Sequence, residues 1–201
     1  MKTPTEHILT PKLSVQARLP IDDRIERAAQ LVLRARIFFE IWLYFEGRDT
    51  RAGIFKTMEE YSEFFRFAPH AHFVAFIVSI AALFDKRRDT ITLPGLAREM
   101  AKANLLPFQT KAEVDALMAQ AVPLVSKVAL LRHNAFAHRS ATITYDDAFK
   151  AAAVTALQMQ DLTEIALKVA NHLTRARGRG EHFFNELPRE DAEALMKALA
   201  T

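Results

Sequence analysis

The sequence predicts an all-α fold: a four-helix bundle with short accessory helices and a small C-terminal helix. Three observations predict it. Apolar residues recur at three- and four-residue spacing over long stretches. Only 5 glycines and 8 prolines interrupt 201 residues. No alternating strand pattern of useful length, internal repeat or low-complexity tract is present. The expected organisation is an irregular arm over 1–19, one helical domain over 20–178, and an extension with a short helix over 179–201.

The arm carries Pro4 and Pro11 and has no period. Pro20 then opens a helix in the favoured first-turn position, with Asp22 and Asp23 where negative charge suits an N-terminus. Ile25, Ala29, Val32, Arg36, Phe39 and Leu43 trace its stripe. From Ile37 to Phe45 apolar residues cover nearly the whole circumference, the mark of a helix buried on more than one side. Gly47 closes it. Thr57 and Glu60 have capping-box spacing and predict a short helix through Phe67, stopped before Pro69.

A helix from Pro69 to about Lys86 places Phe73, Phe76, Ile77, Ile80 and Phe84 on one face. Asp89 to Leu93 reads as a connector, Pro94 opens another short helix, and Pro107 ends the next loop. Thr110 with Glu113 predicts a second capping box. From there Val114, Leu117, Ala121, Leu124, Val128 and Leu131 run at helical spacing, with Pro123 marking a mild kink or a break. Thr144 with Asp147 caps one last long helix through Leu173, ended by Gly178 and Gly180. A terminal amphipathic helix from Pro188 through Leu199 reads as semi-detached.

Composition narrows the function classes. Half the residues are hydrophobic and a quarter charged, ordinary for a soluble globular chain. Without cysteine, disulfides and zinc–thiolate sites are impossible. The N-terminus lacks a signal-peptide pattern, and the most apolar run, Phe73 to Phe84, is shorter than the roughly 20 residues a bilayer-spanning helix needs. The expectation is therefore a cytoplasmic protein with no membrane partner. A net charge of +3 is too small to announce a nucleic-acid binder by itself. Cations gather at Lys86-Arg87-Arg88, at Arg132 and Arg139, and at Arg175, Arg177 and Arg179. Each cluster also suits a helix C-terminus, where positive charge complements the macrodipole. The 15 phenylalanines, crowded before residue 85, demand a thick core or an apolar interface, and the aromatic excess on the first helix predicts a homodimer.

The segment Leu131-Arg132-His133-Asn134-Ala135-Phe136-Ala137-His138-Arg139-Ser140 holds the chemistry. A fixed guanidinium and a switchable imidazole can bind a phosphate and move a proton. On an intact α-helix, Arg132 and His138 stand about 120° apart around the axis and about 9 Å along it, while Asn134 and His138 share a face. Convergence requires the helix to loosen near His138 or a second subunit to contribute. His70 and His72, two apart with no third ligand, are not read as a metal site, and neither a metal nor a cofactor is expected.

Arg132, the polar His133 behind it and the Ala137-His138-Arg139 ending resemble the arginine-to-histidine motif of the HEPN superfamily, in its abortive-infection, AbiU-like branch. Leu83 to Leu93, LFDKRRDTITL, is similar to a helix-ending stretch that this branch carries upstream. The resemblance covers roughly Ile25 to Arg175. It implies a dimeric helical bundle acting as a metal-independent endoribonuclease in phage defence or a toxin–antitoxin pair, with RNA and an antitoxin protein as partners. Arg132 would then hold the scissile phosphate, and His138 would act as acid or base at the ribose 2′-hydroxyl, leaving a cyclic phosphate. His133 would fill the motif's polar position and Asn134 orient His138, with Lys86, Arg87, Arg88 and Arg139 as RNA contacts. A contact from Asp85 to Arg132 is a further option, beside a helix-end ion cluster. The five residues between Arg132 and His138 exceed the commonest spacing, and no tyrosine follows His138 at two residues; Tyr145 is too distant to substitute. A non-catalytic dimeric module binding nucleotide, RNA or a partner protein is the alternative.

Overall fold

The computed structural model describes residues 18–87, 89–137 and 143–200, and every regular element among them is helical. Four long helices form the bundle: α1 (Ile21–Glu46), α3 (Ser62–Leu83), α5 (Phe108–Leu131) and α7 (Ala156–Ala176). Each packs against two others in the closed order α1–α3–α5–α7. Neighbours run antiparallel. Phe45 meets Phe65 while Phe39 meets Phe76; Arg36 meets Thr163 while Arg177 meets Asp22; Glu113 meets His172 while Lys127 meets Gln158. The centre is filled by Phe39, Phe76, Ile77, Ile80, Leu131, Leu162 and Leu173, all with essentially no exposure. Burying such side chains is worth about 1.5–3 kcal/mol each, and this burial drives the fold.

The accessory helices are α2 (Arg48–Glu60), α4 (Leu93–Lys102), α6 (Tyr145–Ala152) and α8 (Leu187–Leu199). α4 starts as expected, with Thr92 as N-cap: its hydroxyl accepts from the Gly95 N–H at 3.2 Å, and Pro94 sits in the first turn. It anchors Leu93, Leu96 and Met100 in the main core. α8 has a smaller core of its own. There Ala192 and Met196 pack with Tyr44, Phe45, Met58 and Phe65 of the first three helices.

Four expected boundaries are corrected. The short helix starts directly after Gly47, where a Cβ would run into the Leu43 carbonyl oxygen, so Thr57 is buried inside α2 and caps nothing. The break falls at Tyr61 (φ −114°, ψ 42°), and α3 runs on through Pro69. Proline there removes only one backbone bond, and the buried rings of Phe65, Phe73 and Phe76 on either side hold the helix. α5 begins at Phe108 after Pro107, two residues ahead of Thr110, and continues through Pro123. The last long helix is really two. Ala153 adopts a left-handed conformation (φ 44°) that ends α6, and Thr155 with Gln158 forms a complete capping box for α7. The predicted Thr144 cap of α6 and the Gly178 end of α7 (φ 67°) are in place, the latter as a Schellman turn with Arg179 N–H on the Thr174 carbonyl.

Two further expectations shift. By length and composition, α3 and the helix Phe108–Phe136 are each long and apolar enough to cross a membrane, although the unbroken apolar run is short; here both pack within the bundle. The aromatic residues of α1 are mostly consumed internally: Phe39, Tyr44 and Phe45 are buried. Four exposed aromatics, Phe55, Tyr61, Phe64 and Phe67, cluster instead around the α2–α3 junction, with Phe108, Tyr145 and Phe183 exposed elsewhere.

Candidate functional site

The end of α5 does not continue as an α-helix. Residues Arg132–Ala137 form a π-helical turn, η1, beginning at the motif arginine itself. Wider turns of this kind are rare, insert as single turns in α-helices, and concentrate at functional sites. The helix therefore departs from α geometry over residues 132–137, just ahead of His138 in the sequence. His138, Arg139 and Arg88 lie outside the described residues.

Two neighbours fix η1. On one side Phe136 enters an aromatic cluster, with ring centroids 5.8 Å from Phe73, 6.1 Å from Phe149, 5.9 Å from Tyr145 and 6.0 Å from His70. On the other, Arg132 Nη1 donates to Asp85 Oδ2 at 3.1 Å, joining the end of α5 to the end of α3. That bond, helped by the Arg87 and Lys86 backbone N–H groups, holds the Asp85 carboxyl below its usual range against the opposing effect of burial. Arg87 N–H reaches the other carboxylate oxygen at 3.2 Å. Asp85 thus uses both oxygens to tie the α3–α4 connector and the motif arginine together.

Arg132 and His133 form one wall of a cleft of about 470 Å³; Ala81, Phe84, Asp85 and Lys86 form the opposite one. Arg132 is 35% exposed, and only one of its nitrogens is bonded to Asp85, so the guanidinium still presents donors to the cleft. His133 is exposed on the same rim. Asn134 bonds to its own helix, its amide donating to the Leu130 carbonyl at 3.0 Å. Lys86 and Arg87 are exposed beside the cleft, and Arg87 forms a fork with Asp89 at 2.7 and 3.1 Å. Among the described residues no group of three His, Asp or Glu side chains is placed to hold a metal.

The site as drawn from sequence is therefore partly assembled. Arg132, His133, Lys86 and the Asp85 contact share one cleft. The sequence of the AbiU2 family of HEPN proteins matches this chain over residues 19–197. The chain belongs to that family. Membership assigns it a HEPN-type, abortive-infection function at the coarse level. No curated protein and no solved structure matches it. The match ends at residue 197, within α8.

Sequence reasoning missed one residue beside the motif. Tyr145, thirteen positions beyond Arg132, stacks on Phe149 at 4.7 Å and packs against Phe136, with its hydroxyl 3.5 Å from His70 Nδ1. Burial raises its pKa. The signal was the Thr144–Asp147 cap, which restarts a helix at Tyr145 and folds it back on η1.

Proposed function

We propose that this AbiU2-family protein is a metal-independent endoribonuclease of a phage-defence or toxin–antitoxin system, cytoplasmic, with two copies facing each other across a dimer cleft. The observation that carries the reading is Arg132 at the head of a π-helical turn, held by Asp85 at the edge of an open cleft. A guanidinium fixed through one nitrogen can aim its remaining donors at a phosphate and at the charge that grows on it during transfer. His138 supplies the proton step. As base it removes the 2′-hydroxyl proton while that oxygen attacks phosphorus, and a protonated group opposite it returns a proton to the departing 5′-oxygen. The products are a 2′,3′-cyclic phosphate and a 5′-hydroxyl. We assign that second role to His133, which is exposed on the same rim.

The deciding experiment is cleavage of mixed cellular RNA in EDTA by wild type, Arg132→Ala and His138→Ala. Cleavage by wild type alone with cyclic phosphate ends is the expected result. Intact RNA with all three proteins, together with unchanged growth on expression of each, overturns the reading. It would favour instead a non-catalytic dimeric module binding RNA, nucleotide or a partner protein. The exposed cations Lys86 and Arg87 favour that second reading, because they serve binding whether or not bonds break.

A further inference from the structure

We infer that a second groove, adjoining the Arg132 cleft, is a track for the sugar–phosphate backbone of the RNA strand, an inference that rests on RNA being the substrate. The groove has a volume of about 750 Å³ and lies between the start of α1, the α3–α4 connector and α4. Six cationic side chains line it, Arg18, Arg24, Lys86, Arg87, Arg98 and Lys102, against the one carboxylate of Glu99. The whole chain carries a net charge of only +3, with 24 acidic residues available. So lopsided a lining is a segregation of charge, which concentrates a polyanion locally.

The internal pairing of the groove leaves that charge usable. Glu99 forks Arg24, which is 8% exposed and also bonded to the Leu19 carbonyl, so this pair is a strut joining α1 to α4. The same carboxylate holds Arg18 at 3.2 Å, yet Arg18 remains 62% exposed. Asp89 engages Arg87 from outside the lining. Among the described residues, Lys86, Arg98 and Lys102 have no carboxylate within salt-bridge distance. Arg98 and Lys102 are exposed and four apart on α4, hence on one face, because Leu96 and Met100 anchor the opposite face in the core. The lining adds the hydroxyl-bearing residues Thr90 and Thr92.

Continuity makes this a track and not a separate pocket. Lys86 lines both the groove and the Arg132 cleft, and the connector holding it is fixed through Asp85 to Arg132. A strand with its reacting phosphate at Arg132 therefore has its next phosphates over Lys86 and then along α4. A single phosphate or a mononucleotide would occupy only a fraction of two joined clefts of this size.

The test uses the full chain and a fluorescein-labelled 20-nucleotide single-stranded RNA, titrated between 50 and 200 mM salt. The Arg98→Glu/Lys102→Glu variant is compared with wild type and with a charge-matched control, Lys56→Glu/Lys168→Glu, after circular dichroism confirms folding. The groove variant should bind about tenfold more weakly or worse, and its log K against log salt slope should flatten by about 1.4, from two lost contacts at about 0.7 each. The control should match wild type. In cleavage assays the groove variant should raise KM for the 20-mer at unchanged kcat, and cleave a dinucleoside monophosphate as wild type does. Equal binding and equal slope for the groove variant overturn the track, even if the protein is a nuclease. Groove-dependent binding without cleavage by wild type upholds the track and removes the nuclease reading.

Discussion

The Asp85–Arg132 bond can be measured without any assumption about RNA. Its two side chains are 24% and 35% exposed, and the N–O distance is 3.1 Å. A hydrogen bond to a charged group contributes about 1.5–3 kcal/mol when shielded. Solvent screening at this exposure lowers the figure toward the surface-pair range, leaving about 1 kcal/mol. The perturbation is a double-mutant cycle of Asp85→Ala and Arg132→Ala, read by urea unfolding. Each single variant should lower Tm by about 2–4 °C per kcal/mol for a domain of this size, and the coupling should be about 1 kcal/mol at pH 7. The pH dependence has a definite sign. The folded Asp85 pKa lies below its ordinary 3.8, so the coupling is complete above the unfolded value and is lost as pH falls through the folded value. Coupling at pH 5 should therefore equal that at pH 7 and shrink at pH 3. A coupling below about 0.3 kcal/mol at pH 7, or one already gone at pH 5, would refute the assignment.

Other substitutions probe the frame and the arginine's role. Thr155→Ala removes the hydroxyl that accepts from the Gln158 N–H, while the backbone N–H at 155 still reaches the Gln158 side chain, and should cost about 1 kcal/mol in urea unfolding, with Thr155→Gly costing less. Phe76→Ala empties a fully buried site facing Phe39 and should cost about 3–5 kcal/mol; a loss under 1 kcal/mol would mean the α1–α3 seam is not the core. Arg132→Lys should keep Tm close to wild type, since the ammonium can replace the single Nη1 contact to Asp85, yet lower RNA cleavage about a hundredfold because the fork is gone. Equal cleavage by wild type and Arg132→Lys would show that only charge is needed there.

Most of the bundle was legible because its signals are redundant. The apolar stripe of α1 and the faces of α3 and α5 each repeat one instruction several times, and packing agrees with all of them. The misplaced boundaries share a cause: each rested on a single local rule that burial overrode. Pro69 read as a stop and Pro123 as a mild kink or a break, but losing one backbone bond is a small cost beside the apolar surface each helix buries. Thr57 had capping spacing, yet Gly47 ten residues earlier allows so tight a junction that α2 starts there. The break after α6 carried no turn residue at all, since Ala153 takes the left-handed position that glycine usually fills. Only the Thr155–Gln158 pair announced the restart.

For the site, ideal helix geometry sets Arg132 and His138 on different faces, and the segment after Arg132 is not an α-helix. No propensity scale encodes the π-helical turn, which is flanked by contacts distant in sequence. Asp85, 47 residues earlier, holds Arg132 at one end of the turn, and Phe73, Phe149 and Tyr145 hold Phe136 near the other. The same two anchors explain why the arginine is legible as chemistry and illegible as geometry. Its residue type advertises phosphate binding, but its direction is set by the Asp85 carboxylate just beyond α3, in the connector from which Lys86 and Arg87 project. The basic connector and the motif are thus a single mechanical unit, so a change to Asp85 should disturb phosphate contacts on both sides of it.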